Sequence, residues 1–112
     1  MPSSFFLQKA ETLEIQTYKK PKNIQELRKT HIPFSGLLKK HPYDSKKVVL
    51  ITEPDSAGTS YYEFKTNDIS CAEEMPAIVN IDGETITMAR IWVKKKSIGI
   101  RFIPFVVEDI QI

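Results

Sequence analysis

Ala77-Ile78-Val79-Asn80-Ile81-Asp82-Gly83-Glu84-Thr85-Ile86-Thr87-Met88-Ala89-Arg90-Ile91-Trp92-Val93 is the stretch on which the fold turns. Two β-prone runs flank Asp82-Gly83, a pair that suits a two-residue hairpin turn because both central residues of that turn need positive φ. On the second arm Ile86, Met88, Arg90 and Trp92 share one face. Thr85, Thr87, Ala89, Ile91 and Val93 share the other, as the two-residue period of a strand requires. Antiparallel β-structure is therefore expected throughout this half of the chain.

The same pattern extends to both sides. Val48-Val49-Leu50-Ile51 is a compact β-branched run of the kind that fills a buried strand. Glu53-Pro54-Asp55-Ser56-Ala57-Gly58 has the composition of a turn. Residues 60–65 alternate as a strand, with Tyr61, Glu63 and Lys65 on one face and Tyr62 and Phe64 on the other. Asn67-Asp68 allows a turn before a further strand over 69–74, and Pro76 is expected to end it. Beyond the hairpin, Lys94-Lys95-Lys96-Ser97 marks a reversal. A last strand is predicted over 98–107, with Pro104 placing a bulge or an edge position inside it.

The N-terminal portion reads differently. Ser3 or Ser4 can cap a helix starting at Phe5, with Phe6, Ala10 and Leu13 on one face. Lys20-Pro21 closes that segment, because the residue before proline is pushed out of the α region. Asn23 followed by Glu26 resembles a capping box and predicts a short helix burying Ile24 and Leu27. Residues 31–44, with two prolines and a glycine, read as an ordered loop with aromatic anchors. The expected class is α+β, mainly β: one domain over 1–112, with a helical and loop segment to residue 46 and an antiparallel β segment from 47. Five or six strands should curl into a small antiparallel barrel or half-barrel preceded by one or two helices, with an open α+β sheet as the runner-up.

Composition narrows the function classes. At 112 residues with 41% apolar and 27% charged residues, the chain can bury a real core and is not expected to be disordered. The longest apolar run, 98–107, is interrupted by Arg101 and falls short of the roughly 20 residues of a spanning helix. Residues 1–9 lack the basic leader and apolar core of a signal peptide, so a cytoplasmic location is expected. The single Cys71 excludes an intramolecular disulfide and a multi-cysteine metal site. Glu73 and Glu74 beside it do not favour a reactive thiolate. The net charge of +2 hides an asymmetry: residues 1–47 hold ten Lys and Arg against four Asp and Glu, and residues 48–112 hold six against ten. That basic first segment can meet an anionic partner or fold against the acidic half of the same molecule.

Candidate chemistry sits at predicted turns. Asp44, Glu53, Asp55, Asp68, Asp82 and Glu84, brought to one rim, would supply the oxygen ligands that Mg²⁺ needs. Lys39, Lys40, His41 and Arg90 would bind the anion beside it. His31 and His41 stand ten residues apart and match no zinc-site spacing, and no metal site is established by sequence. There is no glycine-rich phosphate loop and no Gly-x-Ser-x-Gly elbow. Trp92, facing outward with Arg90, is the candidate platform for stacking a base.

Lys40-His41-Pro42-Tyr43-Asp44, Tyr61-Tyr62-Glu63-Phe64 with Asp68-Ile69, Asp82-Gly83-Glu84 and Ile91-Trp92-Val93-Lys94-Lys95 resemble a family of short bacterial proteins, some of them labelled inorganic pyrophosphatase. The longer soluble pyrophosphatases on oligonucleotide-binding-type barrels carry Asp-x-Asp-Pro-x-Asp, which this chain lacks. Glu53-Pro54-Asp55 is its nearest echo, so the resemblance carries over no catalytic residue. Three functions are therefore in view. The first is a binding or interaction module whose contact is a protein partner, self-association or an anionic ligand. The second is a Mg²⁺-dependent phosphate hydrolase, and the third an oligonucleotide-binding barrel. Clustered carboxylates would favour the hydrolase, an outward Trp92 the nucleic-acid binder, and an exposed apolar strand over 98–107 self-association.

Overall fold

The structure is a computed structural model, and it describes residues 9–13, 15, 18–52 and 60–108. Among the described residues, the short helix α1 (Ile24–Leu27) precedes seven strands: β1 (His31–Lys40), β2 (Lys47–Ile51), β3 (Tyr61–Lys65), β4 (Ile69–Val79), β5 (Thr85–Lys94), β6 (Ile98–Arg101) and β7 (Ile103–Val106). All strand pairings are antiparallel, in the spatial order β4-β5-β1-β2-β3-β6-β7. The first and last strands in that order do not pair, so the sheet is open. The barrel expected from the hairpin count does not close, and the runner-up architecture is the one observed.

β1 holds the sheet together. Its first half pairs with β5, from His31↔Lys94 to Gly36↔Ala89, and its second half with β2, from Leu37↔Ile51 to Lys40↔Val48. The change of partner falls at Gly36, which is buried against β2. A Cβ there would lie 2.4 Å from the Ile51 carbonyl oxygen, so the close passage of the two backbones requires glycine. Through this crossing both halves of the sheet turn their inner residues to one core. Leu38, Val48, Leu50 and Phe64 come from one half, and Ile69, Ala72, Ala89, Ile91 and Val93 from the other. Each fully buried Val, Leu, Ile or Phe contributes about 1.5–3 kcal/mol of transfer free energy.

Residues 31–44 were expected to be a loop, and 31–40 are instead this central strand. Pro33 fits because it sits opposite Trp92 near the strand's beginning, and Gly36 fits because the crossing needs it. β4 likewise runs past Pro76 instead of ending there. The register slips between Met75↔Met88 and Ile78↔Ile86, placing Pro76 in a bulge on an edge strand, where a missing N–H costs little. The following hairpin has a three-residue loop, not the expected two. Gly83 N donates to Asn80 O at 3.0 Å and Asn80 N to Glu84 O at 2.9 Å. Only Gly83 has positive φ, +82°, the arrangement of a type I turn closed by a left-handed glycine.

The expected last strand is two strands, β6 and β7, reversing at Phe102, so the described residues hold seven strands and not five or six. Pro104 does take an edge position, on β7. α1 forms with the expected cap, Asn23 Oδ1 accepting from Glu26 N at 3.2 Å, although Ile24 and Leu27 are only half-buried. Of the helix expected from Phe5, residues 5–8 lie outside the described residues. Thr12 is extended against Lys39, and Lys40 N donates to Glu11 O at 2.7 Å, so no helix reaches Leu13. Leu13 still packs against the core.

Candidate functional site

Three places on this scaffold carry the groups singled out in the sequence. The first is the turn between β1 and β2. His41 Nδ1 accepts from the backbone N–H of Tyr43 at 3.1 Å and of Asp44 at 3.0 Å. That nitrogen is therefore unprotonated, and Nε2 is the donor to Glu63 Oε1 at 2.8 Å. Both side chains are mostly buried. The Asp44 carboxylate accepts from Lys46 N at 2.9 Å. Lys39 Nζ donates to Ala10 O at 3.4 Å, and Lys40 is exposed at the strand's end. His41 and Asp44 thus shape the turn with every polar atom named here engaged inside the protein.

The second is the outer face of β5. Trp92 and Arg90 do share that face, yet Trp92 is fully buried and presents no stacking platform. Its indole Nε1 donates to Glu73 Oε2 at 2.9 Å, and Arg90 Nε donates to the same oxygen at 2.9 Å. The guanidinium groups of Arg28 and Arg90 lie 5.6 and 5.5 Å from the ring centre. An indole with two nearby cations is favourable electrostatically. The Arg90 hydrogen bond is the main cause that holds the Glu73 carboxyl below its ordinary value, with the Trp92 bond adding to it against the cost of burial. Arg90 pairs with Ser35, five residues from Lys40 along β1, or roughly 16 Å at strand spacing. It does not join Lys39, Lys40 and His41 in one anion site.

The carboxylates also stay apart. Asp44 lies between β1 and β2, Asp68 in the 3₁₀ turn Thr66–Asp68, and Asp82 and Glu84 at the β4–β5 loop, where Asn80 Oδ1 accepts from both of their amides. Glu53 and Asp55 lie outside the described residues. Among the described residues no three His, Cys, Asp or Glu form a group that could hold a metal ion.

The third place is the corner formed by β6 and β7. Phe102, at the reversal, has φ +66° and is 90% exposed, and Ile103 is 70% exposed. Ile98 and Val106 are half-exposed. A bulky residue in the left-handed region costs about 1–2 kcal/mol relative to its ordinary conformations, and the ring recovers little of that by burial. Beneath the corner, Phe105 packs with Phe34, Tyr62 and Phe64, its ring centre 5.6–6.4 Å from theirs. Gly99 leaves room for them: a Cβ there would lie 2.7 Å from both Phe105 Cζ and Phe64 Cε1. The hairpin is thus anchored on its inner face and apolar on its outer one.

The backbone of β7 limits how this corner can be met. Val107 N donates to Ser97 O, and Val107 O accepts from Lys96 N, so Val107 faces β6. By the two-residue period Phe105 and Ile103 also face β6, and Pro104 and Val106 turn to the open edge. Proline has no N–H, which leaves Val106 as the one edge donor in β7. Strand addition is poorly served at this edge, and what the corner presents is side chains. The sequence already marks 98–107 as apolar; the reversal at Phe102 has no glycine, asparagine or proline to reveal it.

Among the described residues no helix is long and apolar enough to cross a membrane. Comparison of the chain with protein-family models, with curated proteins and with solved structures returns no significant match.

Proposed function

We propose that the protein is an interaction module that joins a second copy of itself through the β6–β7 corner. The observation that carries this is Phe102: an aromatic ring held at positive φ and almost wholly exposed, flanked by exposed Ile103. Folding alone favours glycine or asparagine at such a position. Backbone strain concentrates where a side chain must be presented, and buried aromatic anchors dominate interface energetics. A second copy is the favoured occupant because the patch can meet itself about a two-fold axis and close. The net charge of +2 offers little repulsion between copies. A contact built from one hairpin lies at the small end of the interface range, below about 1,200 Å², so the association is a weak and reversible one.

Sedimentation velocity over a hundredfold range of concentration tests it. The wild type is expected to shift toward the dimer as concentration rises, and Phe102→Gly, which also relieves the strained φ, to remain monomeric with undiminished thermal stability. A wild type that stays monomeric throughout, or a Phe102→Gly variant that dimerises equally well, overturns the proposal.

A further inference from the structure

The opposite edge of the sheet carries a different feature. Ala72 N donates to Lys19 O at 3.0 Å, in a short parallel bridge that sets Lys19 alongside Cys71 at the start of β4. Between residues 19–22, α1 and β4 lies a groove of about 840 Å³, larger than the recess of about 500 Å³ beside His41. Its lining has two characters. Pro21, Leu27 and Cys71 are half-buried and apolar, whereas Lys19, Lys20 and Lys22 are exposed. Cys71 reaches the groove because β4 bulges between Ile69 and Cys71, setting Cys71 opposite Trp92 on the outer face while Ala72 returns to the core. Bulges re-aim side chains in this way beside functional sites.

Charge is unbalanced here. Glu26 is the one carboxylate of the lining, and its Oε1 lies 3.0 Å from Lys29 Nζ, which neutralises it. Among the described residues, Lys19, Lys20 and Lys22 have no carboxylate within ion-pair distance. Three like charges around an apolar surface repel one another in the empty groove, and an anion between them relieves that repulsion. Asn23 and Thr30 lie in the same lining but are turned inward, Asn23 Oδ1 to Glu26 N and Thr30 Oγ1 to Leu27 O and His31 Nδ1. Selectivity therefore rests on charge and on the apolar surface.

We propose that this groove binds a small amphipathic anion, an organic phosphate or carboxylate whose apolar body lies on Pro21, Leu27 and Cys71 and whose charged group is held by Lys19, Lys20 and Lys22. The site is independent of the β6–β7 corner, since β4 and β7 are opposite edges of the sheet. It gives a role to Lys19, Lys20 and Lys22, which form part of the basic excess of the first 47 residues.

Cys71, the only cysteine, makes the groove its own reporter. Its thiolate displaces thionitrobenzoate from Ellman's reagent, an aromatic disulfide bearing two carboxylates, and the mixed disulfide forms as the coloured thiolate leaves. In the full-length folded protein, relative to the same chain unfolded in urea, the reaction should be at least about tenfold faster than with the neutral dipyridyl disulfide. Salt near 1 M, where the screening length falls to about 3 Å, should abolish that preference. The triple variant Lys19→Gln, Lys20→Gln, Lys22→Gln should lose it too while its rate with the neutral reagent is unchanged. Phenyl phosphate and benzoate, each added as competitor, tell an organic phosphate from a carboxylate by which protects Cys71 at the lower concentration. Equal rates with the two disulfides, or protection by inorganic phosphate as strong as by either organic anion, would overturn the proposal.

Discussion

Replacing Gly36 by alanine perturbs the crossing of β1 and β2 by a single methyl group. The added Cβ would sit 2.4 Å from the Ile51 carbonyl oxygen and 3.1 Å from both Ile51 C and Leu50 Cγ. Ordinary contact begins near 3.4 Å, so the Ile51 peptide must move by about 1 Å. Ile51 and Leu50 are almost fully buried, and Ile51 is also paired with Tyr61 of β3, which leaves the peptide nowhere to go cheaply. Overpacking of this kind costs about 1–3 kcal/mol. Weakening the Leu37↔Ile51 pairing adds about 0.5–1.5 kcal/mol for one backbone hydrogen bond. Stiffening of the unfolded chain returns about 0.4–1 kcal/mol. The net expectation is a loss centred on about 2 kcal/mol, or a fall of roughly 10 °C in Tm for a domain of this size. Urea unfolding followed by the fluorescence of Trp92, the only tryptophan, measures it directly. A Gly36→Ala protein within 0.5 kcal/mol of the wild type would refute the close crossing, and with it the account of how one strand serves both halves of the sheet.

Gly99→Ala should cost about 1–3 kcal/mol by pressing on the Phe64 and Phe105 rings, and Phe105→Leu in the same chain should restore part of that in a double-mutant cycle of urea midpoints. Glu73 has a folded pKa held below its unfolded value, so its contribution is complete above the unfolded value and is lost as pH falls through the folded one. Glu73→Gln should therefore flatten the decline of stability on the acid side, as read from unfolding midpoints between neutral and strongly acid pH. His31, whose Nε2 lies 2.7 Å from Ser70 Oγ, has its pKa lowered chiefly by burial and next by Lys94. Its unfolded state gains the proton first, so stability should drop as pH falls below about 6.5, and His31→Gln should remove that drop. Gly83→Ala meets no neighbour within 4 Å, so only its φ of +82° penalises it, by about 1 kcal/mol in thermal unfolding, with Gly83→Asn close to neutral.

What the sequence made legible follows physical range. Alternation within β3 and β5 is a local signal, and it assigned the faces of Tyr62, Phe64, Arg90 and Trp92 correctly. The Asn23 cap is local too. Whether the outer face of β5 meets water is not local. It depends on α1 and the segment after it bringing Arg28 over Trp92, and on Glu73 of the neighbouring strand receiving its N–H. The prolines at 33 and 76 read as breaks, yet Pro33 is absorbed in β1 opposite Trp92 and Pro76 in a bulge of the edge strand β4, whereas Pro104 takes the edge position its strand pattern suggested. β1 was hidden because its glycine marks a crossing with β2, a contact between residues 15 apart in the chain. Asp44, Asp68 and the pair Asp82 and Glu84 stay apart because the open sheet distributes its turns instead of gathering them on one barrel rim.

The corner contact is tested most directly by following backbone amide resonances of the wild-type protein over a concentration series. Self-association through β6 and β7 predicts shifts confined to residues 98–106 and their immediate neighbours, growing with concentration and absent in Phe102→Gly. Resonances that do not move with concentration, or that move on β4 and leave Phe102 unchanged, would contradict it.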